Sequence, residues 1–135
     1  MLPPSLTSAL KEESLRLGFD MVGVCPAVAA PGIGAFRQWL AQGCAGQMGY
    51  LAGRAAAYEH PGSLLDGVRS IIMLGAGYRT VEPVTAGAGQ GRVSRYAWGK
   101  DYHDLLRGRL RRLAEFHRRL MPEVNVRGVV DTAPL

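Results

Sequence analysis

The chain has 135 residues, 47% of them apolar and 20% charged, which is the balance of an ordinary globular protein. That excludes a disordered tail, a collagen-like repeat and a disulfide-stapled miniprotein, and the length suffices for one domain with its own core. The net charge of +5 is unevenly spread: residues 92–127 hold ten basic and four acidic side chains, or +6, so the rest of the chain sums to −1.

A local excess of this kind suits a polyanion such as nucleic acid, or an anionic cofactor. A GC-rich coding sequence would account for 14 arginines against 2 lysines, but not for their clustering. The longest apolar run, around Ile71 to Leu74, falls far short of the ~20 residues of a membrane helix. No membrane association is expected. No secretory leader is expected either, because the first ten residues carry neither a basic side chain nor an apolar core region. Cys25 and Cys44 are too few for a disulfide framework, which points to a reducing, cytoplasmic setting.

In chain order, residues Pro4 to Leu17 read as an amphipathic helix on the spacing of Leu6, Ala9, Leu10 and Leu17, closed by Gly18. Asp20 to Cys25 reads as a short buried strand stopped by Pro26, and the two prolines of CPAVAAPG mark a loop. Phe36, Trp39 and Leu40 place one face of a second helix on the core, after which Gly43, Gly46 and Gly49 cut the chain into turns or short helical pieces. His60-Pro61-Gly62 is a turn. Val68 to Tyr78 is the strongest strand, an apolar run of the kind covered on both faces. Residues 80–91, rich in Gly, Ala, Thr and Pro, form a surface loop.

Asp101 to Met121 is the best helix, with Leu106, Leu110, Leu113, Phe116 and Leu120 in one stripe and Pro122 as its stop. Val124 to Val130 predicts a last strand running into Asp131. Helices alternating with strands give an α+β, or layered α/β, fold: a mixed sheet flanked by helices. The chain stops on apolar Leu135 soon after that strand, which leads us to expect the N-terminal part of something longer.

Few motifs carry chemistry. Gly75-Ala76-Gly77 lacks a third glycine and Gly87, Gly89 and Gly91 lack a following helix and lysine, so close packing and a loop are preferred to a nucleotide fingerprint. His60, His103 and His117 have no metal-ligand spacing with either cysteine. The ten residues from Ser94 to His103 (SRYAWGKDYH) are denser in chemistry, with three aromatics, cations, an acid and a hydroxyl just before a helix. They can hold a planar or anionic ligand by stacking and hydrogen bonds. Equally, Asp101 can serve the helix dipole while the aromatics cover a core edge. Asp131 ends an apolar strand, where partial desolvation would raise its pKa and fit it to donate a proton; helix capping is the alternative.

The runs GRVSRYAWGKDYHDLLRGRL, VVDTAPL, GFDMVGV and HPGSLLDGVRSIIML together resemble the N-terminal half of the epoxyqueuosine reductases, over nearly the whole chain. The resemblance implies a nitroreductase-like, cobalamin-binding domain, with 1–135 as its N-terminal portion. A ferredoxin-like module with two [4Fe–4S] clusters would follow, absent from this chain. It implies cobalamin-dependent removal of the epoxide oxygen of epoxyqueuosine at the tRNA wobble position, by a protein expected to be a cytoplasmic monomer. The clusters would pass electrons to cobalt.

By position, the resemblance makes Asp131 the general acid. It places Arg54, Tyr58, Ser94, Arg95, Tyr96, Trp98, Lys100, Asp101, Tyr102, His103 and Asp131 against the cofactor. Two of these depart from the family pattern. Relatives often have a cysteine near the corrin at the position of Ser94, and an arginine at that of Tyr58, for which Arg54 one turn earlier would compensate. Two cysteines cannot hold even one four-cysteine cluster. Two other classes compete: a basic RNA-binding module without chemistry, and a flavin-dependent nitroreductase-like enzyme.

Overall fold

The computed structural model describes residues 5–79 and 81–131. The helix start expected at Pro4, loop residue Thr80 and the four residues after Asp131 lie outside them. Ser5 caps the first helix, α1 (Leu6–Arg16), by accepting the Ser8 amide at 3.2 Å. The helix ends where expected: Gly18 has φ +91°, a left-handed conformation that a side chain resists. Strand β1 (Met21–Pro26) follows, then α2 (Ile33–Ala41) and the short helices α3 (Gly49–Gly53) and α4 (Ala55–Glu59). Phe36 of α2 meets Tyr58 of α4 at 5.1 Å between ring centroids, and Arg37 pairs with Glu59 at 2.5 Å. A single 3₁₀ turn at Pro61–Ser63 leads on to β2 (Ser70–Gly75).

Strands β1 and β2 pair antiparallel, from Met21 opposite Gly75 to Pro26 opposite Ser70. Among the described residues this is the whole sheet, so the fold is α+β with a small antiparallel sheet, and the expected mixed sheet is corrected. The two strands were also expected to be buried. Instead most of β1 is exposed and β2 is half-covered, because a two-stranded ribbon with α1 beside it has one face that no described element covers. The Gly75-Ala76-Gly77 turn does pack closely: a Cβ on Gly75 would come within 2.8 Å of Met21 Cε, and the Gly77 amide donates to Asp20 at 2.6 Å.

Helix α5 (Tyr102–Leu120) bears out the apolar stripe through Leu106, Leu110, Leu113 and Phe116, whereas Leu120 is exposed at its end. It packs on α1, and the core is Leu10, Phe19, Leu113, Ala114 and Val130. Arg109 fixes the crossing by donating to the Gly18 carbonyl at 2.6 Å and lying over the Phe19 ring at 5.8 Å. The last strand is not formed. Residues 124–130 run without a ladder partner along α5, held by Arg118 to the Val126 carbonyl (3.4 Å) and by the approach of Gly128 to Leu110. Arg127 donates to the Leu64 carbonyl at 2.6 Å, so the far end of this segment is tied to the turn before β2.

Candidate functional site

The site is built at the N-terminus of α5. Asp101 is its cap: Oδ1 accepts the His103 amide at 2.9 Å and stands 2.7 Å from His103 Nδ1. These bonds, the backbone one foremost, hold the Asp101 carboxyl below the ordinary carboxylate range. The alternative reading of Asp101 as a helix-start residue is therefore correct, and it operates together with an ordered imidazole.

Tyr102 and His103 are consecutive at the start of α5, and their rings stack with centroids 4.1 Å apart. Both reach Asp131, which the 124–130 segment delivers to the same helix end. The Tyr102 hydroxyl donates to Asp131 at 2.9 and 3.2 Å, and His103 Nε2 lies 3.6 Å from Oδ1. That nitrogen is buried and has no hydrogen-bond partner among the described residues. The partial desolvation expected of Asp131 is not found. Its side chain is 66% exposed, because the neighbouring Val130 turns into the core while the carboxylate faces outward.

Tyr96, Lys100, Asp101, Tyr102 and His103 line an open cavity of about 320 Å³, with Tyr96 set edge-on to Tyr102 at 6.3 Å. This lies at the small end of the ~300–1,000 Å³ of ligand pockets. The other predicted residues stand apart. Ser94 opens the 3₁₀ turn Arg95–Ala97, the Trp98 indole donates to the Val93 carbonyl at 2.9 Å, and Arg95 pairs with Glu82 at 3.2 Å. Arg54 is the residue before α4 and the Tyr58 ring is tilted against Phe36; no described hydrogen bond, ion pair or ring contact joins either to the α5 terminus.

Sequence reasoning missed a second cavity of about 550 Å³ between Asp20, Met21, Tyr78, Arg79 and Arg95. Glu82 bridges Arg79 (2.7 Å) and Arg95 (3.2 Å) at its edge. The available signal was Asp20, an acid directly before an apolar strand and opposite a G-x-G turn.

The arrangement therefore offers flat rings, a cation and a carboxylate already engaged by a phenol, on one open wall. Residues 59–132 match the family model described as epoxyqueuosine reductase QueG, DUF1730. The chain belongs to the epoxyqueuosine reductase family. It is 32% identical to the epoxyqueuosine reductase of Synechococcus sp. (strain RCC307), covering 99% of this chain and 42% of that protein. With the Pseudomonas aeruginosa reductase it shares 34% identity over 98% of this chain and 38% of the relative.

Two solved epoxyqueuosine reductase structures share the fold. That from Streptococcus thermophilus has a TM-score of 0.73 at 21% identity, over 97% of this chain and 36% of the other. A selenomethionine-labelled reductase has a TM-score of 0.74 at 26% identity, over 96% and 35%. The chain thus spans about 40% of the length of the curated reductases it matches. Within the family match fall Ser94 to His103 and Asp131, but not Arg54; Tyr58 lies just before it.

Proposed function

We propose that the chain is the N-terminal portion of a cobalamin-dependent reductase that removes the epoxide oxygen of epoxyqueuosine in tRNA. Its fold would then be part of a nitroreductase-like, cobalamin-binding domain. The observation that carries the reading is the convergence of Tyr102, His103 and Asp131 beside the open cavity, in a chain of this family.

The residues present fit one wall of a corrin site. Tyr96 and Tyr102 supply flat apolar surface, and Lys100 and Asp101 supply polar groups for a ring fringed with amides. Cobalamin, when bound, supplies the electrons for breaking the carbon–oxygen bond. In this reading Asp131 passes a proton to the departing oxygen, and Tyr102 aims its carboxyl by donating to its oxygens. Ser94 has a hydroxyl where a thiolate would bind a metal strongly, so no direct role at cobalt is assigned to it. Cys25 and Cys44 do not fit a four-cysteine cluster, and no step is routed through iron–sulfur centres on this chain.

tRNA is the proposed partner of a cytoplasmic monomer. Arg111 and Arg112, exposed on α5 with no described hydrogen bond or ion pair, are among the cations free to meet phosphate. Arg109 and Arg127 are committed to backbone carbonyls.

The test is Asp131→Asn in a cobalamin-loaded holoenzyme that carries this chain. Turnover is expected to fall by about 10²–10⁴-fold, the usual contribution of a general acid, with cofactor binding retained. Unchanged turnover removes Asp131 from the mechanism, and a wild-type holoenzyme that reduces no epoxyqueuosine overturns the reading.

A further inference from the structure

Removal of an epoxide oxygen as water, leaving a carbon–carbon double bond, consumes two electrons and two protons. One carboxyl holds one proton. Resting on the function proposed above, we infer that His103 supplies the second proton, passing it from Nε2 to Asp131, while Asp101 holds the ring in place from the other side.

The geometry that carries this is the position of His103 between two carboxylates. Its Nδ1 is 2.7 Å from Asp101 Oδ1 and its Nε2 is 3.6 Å from Asp131 Oδ1. The Asp101 contact fixes the Nδ1–H tautomer, because a carboxylate accepts and does not donate. In the neutral ring, Nε2 is then a bare lone pair facing a carboxylate, and it makes no hydrogen bond among the described residues. In the imidazolium both N–H groups face carboxylates. The mobile proton is therefore the one on Nε2, and the nearest acceptor for it is Asp131.

The groups around the ring favour this direction. Tyr102 stacks on it, with Tyr96 beyond, and the bond to Asp131 raises the Tyr102 pKa, so the phenol keeps its own proton. Arg107, one turn along α5, acts on Asp101 and helps to keep it charged, and Lys100 sits on the cavity rim. A gap of 3.6 Å is too long for a hydrogen bond, but such contacts tighten when a site closes over its substrate.

In the step, the Nε2–H bond breaks and an O–H bond forms on the Asp131 carboxylate, which has just given its first proton to the departing oxygen. The imidazolium becomes neutral imidazole with Nδ1–H still on Asp101. Asp131 hands on the second proton, completing water. The two electrons come from the reduced corrinoid of the proposed reaction. After release, the exposed Asp131 carboxylate is open to solvent, and water returns both protons.

Two measurements test this. The first is ¹⁵N NMR of His103 in the chain itself. The neutral ring is expected to carry its proton on Nδ1 in the wild type and to lose that preference in Asp101→Asn. The second is holoenzyme kinetics of His103→Asn, whose amide can still reach Asp101 but has no Nε2. Its kcat is expected to fall about 10²-fold with KM unchanged, and added imidazole should restore turnover to His103→Ala. A neutral ring protonated on Nε2, or wild-type kcat in His103→Asn, overturns the proton role of His103. If Asp131→Asn is inactive while His103→Asn is fully active, only this inference falls; if Asp131→Asn is fully active, the relay through Asp131 falls; if the wild-type holoenzyme reduces no epoxyqueuosine, the proposed function falls with it.

Discussion

The Tyr102 phenol donates to both carboxylate oxygens of Asp131, at 2.9 Å to Oδ2 and 3.2 Å to Oδ1, across 29 residues of chain. One residue starts α5 and the other ends the extended segment that returns along it, so the contact closes the two ends of a long excursion. The carboxylate favours the protonated phenol. That hydrogen bond is the main reason the Tyr102 pKa lies above its ordinary value near 10.

For Tyr102, a folded-state pKa above the unfolded one means that its contribution is complete at neutral pH and is lost as pH rises past about 10. With ¹³C labels on the five tyrosines, the Tyr102 resonance should titrate last or nearly so. Asp131→Asn should bring it back toward the ordinary value. A Tyr102 titration that is the same in both proteins would show that the bond is not formed in solution.

His117 has the opposite sign. Burial on α5, with Arg118 next to it, holds its pKa below the ordinary 6.5, and its Nδ1 is buried without a partner among the described residues. The folded state therefore resists protonation, and stability is full above about pH 6.5 and declines as pH falls below it. Denaturant midpoints at pH 7.5 and 5.0 should differ in the wild type, and His117→Leu should reduce the difference.

Core packing gives a third expectation. Leu113 is buried where α5 crosses α1, whereas Leu105, two turns earlier, is more than half exposed. Leu113→Ala should cost about 2–5 kcal/mol in equilibrium unfolding. Leu105→Ala should change stability by about 0.5 kcal/mol or less. Equal losses would mean that α5 packs by a different face.

Two glycines should respond oppositely to alanine. At Gly18 the backbone is left-handed, and a Cβ would stand 3.1 Å from the Arg109 guanidinium, so Gly18→Ala should destabilise by about 1–2 kcal/mol or more. Gly34 lies within α2 with open space at its Cβ position, and Gly34→Ala should stabilise by about 0.5–1 kcal/mol. Thermal melts of both variants decide the signs.

These contrasts also show how far the sequence could be read. Helix α5, its apolar stripe and its start at Asp101 follow from spacing and capping chemistry, which act over a few residues. The Val124–Val130 alternation promised a strand, but a strand needs a partner edge, and α5 provides carbonyl-seeking arginines and an apolar flank instead. The Ser94–His103 segment was recognisable by its density of aromatic and charged groups. Which of these residues meet was not, because the contact from Tyr102 to Asp131 depends on how a 29-residue excursion folds back. The clustered arginines divide for a similar reason: spacing cannot reveal that Arg109 and Arg127 are taken up by carbonyls of Gly18 and Leu64.

The β1–β2 ladder joins segments separated by 43 residues, 27–69, which carry α2 to α4 between them. Closing a loop costs entropy that grows only with the logarithm of its length, so doubling this one would add about 0.6 kcal/mol. The connection is thus a place where relatives can gain or lose residues with little thermodynamic consequence. The order of events is less forgiving: neither strand gains a partner until that loop has closed, so assembly is set by a distant meeting of chain segments and not by the rapid local winding of the helices.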